Sequence, residues 1–340
     1  MKLIAFIALM LLAPTQMLHK PQVVKSSLES LVISKPIIYK NLAIYPLTRR
    51  SAHTTEYVTL DEAMNKDWLT IREIGNGEVN FVELKNIGNK VVFIMTGEMI
   101  SGAKQDRMLK DDVLIPPKSD WLRIPVYCVE HGRWVAVSSA FKSSGLVVPN
   151  ALRQRARVTE KQSEVWDEIA SSQDRLGIAS GTGTARANYE DERTRKEIAE
   201  YMERLADMPK LRENTVGVCV TTGNRIVCVD IFANNDLLVK YWHKLLKSYV
   251  MDAIHETIST VHKAEIEGLL DALSHAQIIS IGTPGLGDLF RIETDFGKGT
   301  ALAYKENLVH MDFFIEDLHD EPDWRLDIRR DQRLGTGTNL

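Results

Sequence analysis

Two short segments hold most of the side chains in this sequence that could do chemistry. The first contains Gly97-Glu98 and then Gly102-Ala103-Lys104-Gln105-Asp106-Arg107, which together supply a carboxylate, an ammonium, an amide and a guanidinium. The second is Cys128-Val129-Glu130-His131-Gly132-Arg133-Trp134, which adds a thiol, another carboxylate, another guanidinium and an indole. Alternate residues of an extended chain share a face. Cys128 and Glu130 therefore point one way, Gln105 and Arg107 share a face, and Lys104 and Asp106 share the other. A thiolate is populated at neutral pH beside a cation, and Arg107, Arg133 or Lys104 can supply one. Glu98 or Glu130 has the chemistry of a general base. Forked arginine donors suit the carboxylate or phosphate of an anionic ligand. The catalytic candidates are Glu98, Cys128 and Glu130. The ligand-binding candidates are Lys104, Gln105, Arg107, Arg133 and Trp134.

A competing reading takes the same charges as a buried ion-pair network that only fixes the strands, with Cys128 a small buried hydrophobe and Trp134 part of the core. The two readings differ in one observable. A site needs these charges lining an open pocket, and a scaffold needs them paired and sealed. No Cys/His/Asp triad is readable, because His131 lies close to Cys128 in sequence and on the opposite strand face. A metal site is not indicated: Glu98, Glu130 and Cys128 are the available ligands and no histidine is spaced to complete them. No motif names a cofactor. Ser180-Gly181-Thr182-Gly183-Thr184 reads as a flexible linker, since it lacks the spacing of a phosphate loop. Gly282 to Gly287 reads as a turn. His310 reads as a satisfied core histidine, and Trp166 and Trp242 as packing residues on helical stripes.

The elements that must position these groups are mostly short strands. Leu69–Ile74, Val79–Leu84, Val91–Met95, Val113–Ile115 and Leu122–Val129 are apolar runs separated by Gly, Asn and Pro breaks with no helix between them. That pattern points to an antiparallel β-sandwich or barrel-like core. Residues 150–207 read as a helical insertion, with Leu152, Val158, Val165, Trp166 and Ile169 forming an apolar stripe. A long amphipathic helix follows from Asn235 to Ala276, with a break near Ser259 to Lys263. Strands return from Leu289. The fold class is therefore α+β, with a helical insertion and a long helix in the C-terminal half.

Thr215 to Phe232 reads as a hairpin around a two-residue Gly223-Asn224 turn. In that register Val220 faces Val227, Val218 faces Val229 and Val216 faces Ile231, leaving one wholly apolar face. The same register sets Cys219 opposite Cys228 in a non-hydrogen-bonded pair with Cα atoms about 4.5 Å apart, within disulfide reach. In an exported protein the two can bridge, and in a reducing compartment they stay packed thiols.

The chain has 340 residues, 26% of them charged and 44% hydrophobic, with a formal net charge of -4, the balance of a folded protein of this size. That charge leaves no basic footprint for nucleic acid. Lys2 precedes an uncharged apolar run, Leu3 to Ala13, the order of a secretory signal and too short for a comfortable membrane span. Residues 1–19 are expected to be a signal peptide or uncleaved anchor, so the location is periplasmic or secreted. Residues from 20 to 35 read as a polar linker, 35–316 as a single α+β domain, and 318–340 as a disordered polar tail.

With these residues in view, the chain resembles the domain family named for its association with ADP-ribosylglycohydrolases and rhodanese-phosphatase proteins. The resemblance rests on Gly97-Glu98, Gly102-Ala103-Lys104-Gln105-x-Arg107, Cys128-Val129-Glu130-x-Gly132-Arg133-Trp134, Gln162-x-x-Val165-Trp166 and Ser248-Tyr249, and spans residues 35–315. It implies, by association alone, a nucleotide- or ADP-ribose-like ligand, and it passes no catalytic role to any residue. The expectation is an exported protein that binds a small anionic ligand, with or without turning it over. The alternative is a non-catalytic binding or structural module of the cell envelope, with the helices of Gln154 to Met202 making partner contacts.

Overall fold

The computed structural model describes residues 13–316 apart from 51, 52, 211, 213, 255 and 260, with side chains from residue 21 on. The apolar leader to residue 12 and the polar tail lie outside the described residues. The helices are α1 (Ala13–Glu29), α2 (Leu60–Asn65), α3 (Asn150–Thr159), α4 (Gln162–Leu176), α5 (Ala187–Glu190), α6 (Glu192–Leu205), α7 (Asn235–Ala253) and α8 (Lys263–Ser274). The fold is α+β with antiparallel sheets, as the short punctuated strands require. The pairing of Val58–Thr59 with Val92–Ile94 is the one parallel contact recorded among the described residues.

The largest sheet runs Val32–Ile33, Leu42–Thr48, Thr215–Thr222, Arg225–Phe232, Asn307–Ile315, Gly297–Tyr304, Asp288–Thr294 and Gln277–Ile281, with Ile37–Tyr39 paired to Leu42–Thr48. Every residue of Thr215–Thr222 is buried, because both faces are covered. Val218, Val220 and Cys228 pack beneath Leu238, Tyr241, Trp242 and Leu245 of α7. Cys219, Val229 and Ile231 share the other face with Val24 and Leu28 of α1 and Ile266, Leu269 and Leu273 of α8. A strand covered on both sides reads as a continuous apolar run.

Residues 58–147 build a second β unit with its own core. A six-stranded sheet has the order Phe141–Val147, Glu98–Gly102, Arg107–Leu109, Leu122–Cys128, Phe81–Asn86, Leu69–Glu73. Beside it lies a three-stranded sheet of Val113–Ile115, Val92–Ile94 and Val58–Thr59. Ile71, Val82, Ile94, Ile100, Ile124 and Phe141 fill the space between them. Thr59 caps α2 through a reciprocal capping box with Glu62, satisfying two amide groups that a helix start leaves free. Between this unit and the hairpin strands come α3 to α6.

Two local expectations are corrected and one is sharpened. The polar linker of residues 20–35 is largely helix: α1 continues to Glu29 and buries Val24 and Leu28, an i, i+4 pair that carries its packing face. The long helix is interrupted as expected, with α7 ending at Ala253 and α8 starting at Lys263. In the hairpin, Thr222 pairs with Arg225 around Gly223-Asn224 as expected, but the register slips between Val220 and Thr221. Val227 is the extra residue of a β-bulge. Beyond it Val220 faces Cys228 and Cys219 faces Val229. A one-residue slip sends a side chain through the sheet, so Cys219 and Cys228 lie on opposite faces in separate cores. All three cysteines are free and buried. The expected cross-strand disulfide does not form.

Ellman's reagent is therefore expected to find no reactive thiol in native protein and three in denaturant without reductant. A denatured titre of one would mean that Cys219 and Cys228 are bridged and the bulged register is wrong.

Candidate functional site

The two chemistry-bearing segments meet on neighbouring strands. Cys128 pairs in register with Arg107, and the Val129 amide donates to the Asp106 carbonyl at 3.0 Å. Gln105 donates its side-chain amide to the Glu130 carbonyl at 2.8 Å. Arg133 folds back on Glu130 with two bonds, Nε to Oε1 at 2.9 Å and Nη2 to Oε2 at 2.5 Å. Such a fork fixes direction as well as charge. Glu130 Oε2 also accepts the Asp106 amide at 3.0 Å. Asp106 in turn faces Arg133 at 3.3 Å and Arg186 at 3.4 Å, and accepts from Thr184 Oγ1 at 3.1 Å.

Burial pulls these groups in different directions. It raises Asp106, helped by the Glu130 charge, against the opposing Arg186. It would raise Glu130 too, but the Arg133 bonds and the Asp106 amide outweigh it and hold Glu130 below the usual carboxylate value. Burial pushes the Cys128 thiol up against the nearby Arg107, the reverse of what a nucleophilic thiolate needs. The Cys128 Sγ–H donates to the Glu130 carbonyl at 3.2 Å, and the side-chain amide of Gln162 grips the Cys128 N–H and C=O at 2.8 Å each. Arg107 is fully buried and donates to the Gln105 carbonyl at 3.1 Å.

Glu98 stands apart from this cluster. It is fully buried, with Oε1 at 2.5 Å from Lys244 Nζ and Oε2 accepting from the Met95 amide at 2.8 Å and from Tyr241 at 3.0 Å. Lys244 also meets Asp61 at 2.6 Å. Burial raises Glu98, with Lys244 opposing, and Glu98 and Asp61 keep Lys244 raised against its own burial. Glu98 and Glu130 thus share no partner. Lys104 and Trp134 are at the surface, the ammonium 5.0 Å over the ring, and Trp134 is half exposed. The motif charges are paired and closed in, apart from the Lys104–Trp134 pair and the edge of Arg133.

What the network holds is the segment from Ser180 to Arg186. Gly132 donates to the Thr182 carbonyl at 2.8 Å and Ala185 to the Val129 carbonyl at 2.9 Å, and Glu130 forms an antiparallel bridge with Thr184. A Cβ on Gly132 would lie 3.1 Å from the Thr182 backbone, so glycine lets the two chains approach without a shift. The segment expected as a flexible linker is pinned, and Gln173 of α4 completes the grip by donating to the Thr184 carbonyl at 2.9 Å.

Ala185, the next residue, lines a cavity of about 830 Å³ between α3, α4, α5 and the end of α7, with the bulged Val227 in its wall. The arginines at this cavity are engaged: Arg175 with Glu168 at 2.9 Å, Arg225 with Glu256 at 2.6 Å and Arg155 with Glu164 at 3.7 Å. Asp252 accepts the amides of Asn150 and Ala151 at 2.9 and 3.0 Å, satisfying free donors at the start of α3. Burial pushes Asp252 up to about 6 against those two bonds. Two side chains on the wall have atoms with no partner among the described residues: Asn150 Nδ2 and Asn188 Oδ1.

Behind Asn150 lies a buried charge array. Arg153 forks onto Asp230 at 2.7 and 3.1 Å, meets Asp312 at 3.5 Å and donates to Asn150 Oδ1 at 3.0 Å. Arg157, one turn on, pairs with Asp111 at 2.6 Å and Asp312 at 3.7 Å. His310 Nδ1 lies 2.7 Å from Asp112, and its Nε2 lies 3.5 Å from Asp230. Burial alone would lower His310, but the two carboxylates outweigh it and push it up to about 9. The core histidine expected from its strand is thus held between two buried carboxylates, Asp112 and Asp230. The array left a readable signal. Asp230 and Asp312 interrupt apolar strands at their centres, and Arg153 and Arg157 repeat at helical spacing beside buried Leu152 and Ala156. Asn188 carries no such signal.

The fold and site define an α+β protein in which a helical segment is strapped by buried ion pairs against an antiparallel sheet, leaving a polar cleft between them. The chain belongs to the ARG and Rhodanese-Phosphatase-superfamily-associated Protein domain family, whose model matches residues 30–314. No curated protein and no solved structure matches it.

Arg133→Ala leaves Glu130 and Asp106 buried beside a lost cation. It is expected to cost about 2–4 kcal/mol and to speed hydrogen exchange at the Ala185 amide before global unfolding. Unchanged urea stability with unchanged exchange would show that the fork does not hold the segment. His310 makes a prediction about pH. Its folded pKa is raised above the unfolded value of about 6.5, so its contribution is complete below pH 6.5 and is lost as pH rises through about 9. Urea stability should fall over that window, and the fall should flatten in His310→Gln. An equal slope in both proteins would place the proton elsewhere.

Proposed function

We propose that this protein is a non-catalytic binding module that takes a small polar ligand in the cleft between α3, α4, α5 and the end of α7. The supporting observation is a contrast in accessibility. Glu98, Asp106, Arg107 and Glu130 are buried, whereas the cleft is an open space of about 830 Å³ with polar and charged side chains on its wall. The volume suits a small molecule. Each of the three arginines at the cleft is engaged by a glutamate, which favours an uncharged polar ligand over the anion that Arg107 and Arg133 suggest from sequence. In this reading Gln105, Arg107, Cys128, Glu130 and Arg133 position the segment that forms the far wall, and Glu98 ties α7 to the smaller β unit. The lysine-led apolar N-terminus supports an exported or envelope setting for this module.

A ligand-observed NMR screen of small neutral polar fragments tests this. Hits are expected to compete with one another, to vanish in Ala151→Trp, which fills the cleft, and to survive in Arg133→Ala below its melting point. Hits lost in Arg133→Ala and kept in Ala151→Trp would return the site to residues 97–134 and overturn the proposal.

A further inference from the structure

Exposed apolar side chains gather at one place on this protein. Trp134 at 49%, Val135 at 74% and Val137 at 67% exposed fall within four consecutive positions, and Ala136 between them is exposed too. The other large apolar residues exposed among the described residues, Val32, Ile38, Ile87 and Ile258, stand singly in the chain. Single exposed apolar residues are ordinary, whereas a contiguous group marks a surface that something covers. The stretch from Trp134 to Phe141 carries no charge. It is also held from behind. Arg133 Nη1 donates to the Ala103 carbonyl at 2.8 Å and to the Val135 carbonyl at 3.3 Å, and the Val137 amide donates to the Ala103 carbonyl at 2.9 Å. Ser138 Oγ accepts the Ala103 amide at 2.9 Å and donates to the Ala140 carbonyl at 2.7 Å. The loop ties down polar groups at its base and leaves its apolar side chains in solvent.

The charges beside this tip are sorted by sign. The acids that the base of the loop touches lie inward: Asp106 and Glu130 are buried, and the Glu73 side chain, which takes the Lys104 amide at 3.1 Å, is 14% exposed. The cations lie outward. Lys104 holds its ammonium 5.0 Å over the Trp134 ring. Its Nζ donates to the Asn76 carbonyl and has no carboxylate within 4.0 Å among the described residues. Lys142, exposed on the strand that follows the loop, also has none. Lysine is depleted at protein interfaces and valine is scarce among their energetic centres. An indole beside short aliphatic side chains, with lysine heads at its margin, matches a membrane–water interface, where the ring sits among headgroups and the ammonium reaches lipid phosphate. We propose that Trp134, Val135, Ala136 and Val137 form a membrane-docking tip that enters the headgroup region of an anionic bilayer, with Lys104 and Lys142 on lipid phosphates. One such tip gives reversible attachment, since stable anchoring takes a second signal. Docking here does not depend on what the cleft binds.

The test is vesicle co-sedimentation and depth quenching on the full chain, with vesicles of phosphatidylcholine and phosphatidylglycerol compared with phosphatidylcholine alone. Val135→Cys carries a polarity-sensitive fluorophore, attached in native protein, where the three native thiols are buried. The same label at Glu267→Cys, exposed on α8 beside α1, reports attachment through the N-terminus. The label at 135 is expected to brighten on anionic vesicles and to be quenched by lipid-borne nitroxides, and the label at 267 to do neither. Trp134→Ser with Val137→Ser should weaken sedimentation at least about tenfold, with an unchanged melting curve because both side chains are at the surface. Lys104→Gln with Lys142→Gln should cut the preference for anionic vesicles by about tenfold or more. Sedimentation with the label at 135 still in water means that another segment, such as the apolar N-terminus, holds the membrane, and it overturns the proposal. So does a failure to sediment. A label at 135 that brightens without vesicles as protein concentration rises makes the tip a contact between copies, and overturns it as well.

Discussion

Arg153 is the residue that the rest of the molecule is arranged around. It sits on α3 and is fully buried, and its fork onto Asp230 joins that helix to the central sheet. Its stem lies against the loop before the Glu98–Gly102 strand: a Cβ on Gly97 would fall 3.0 Å from Arg153 Cγ, and Gly97 takes φ +78, a backbone region open to glycine. His310 carries the connection onward, with Asp112 of the smaller β unit on one side and Asp230 of the large sheet on the other. Three separately cored parts therefore converge on one array of buried ions. Ions in an interior are costly, and they persist when opposite charges and hydrogen bonds surround them. Here Tyr249 donates to Asp230 at 2.7 Å, Thr300 to Asp312 at 3.0 Å, and the Thr96 amide to Asp112 at 2.8 Å. Such an array adds little net stability over an apolar core, but it allows one relative placement of the parts.

The Glu130–Arg133 cluster repeats that logic nearer the surface. Its members look like an active site when listed by type, since carboxylate, thiol and guanidinium side chains converge on two adjacent strands. The distances give them another role. Arg133 neutralises Glu130 and Asp106, Asp106 reaches Thr184 and Arg186, and Gln162 closes on the Cys128 backbone. Each contact carries the chain from the smaller β unit to the helical segment. A thiol raised by burial and a carboxylate held down by two guanidinium bonds have been tuned for position.

Much of the fold was legible because burial leaves a pattern. The short punctuated strands, the α7 stripe and the Gly223-Asn224 turn follow from local rules, and the break before α8 fell where the helical pattern weakened. The bulge at Val227 was not legible. Periodicity assigns a strand to a face but does not count the residues on each side of a slip, so the register beyond it, and with it the pairing of the cysteines, came out one residue wrong. α1 was hidden for a different reason: Val24 and Leu28 are two apolar positions among polar neighbours, enough to dock a helix and too few to announce one. For the site, the sequence brought Gln105, Arg107, Cys128, Glu130 and Arg133 together correctly but misplaced Glu98. It gave Asp106 no role, because two of its partners, Thr184 and Arg186, come from a segment about 80 residues away and leave no local trace. Asn150 and Asn188 are polar residues in helices rich in polar residues, and only the packing shows which face is buried.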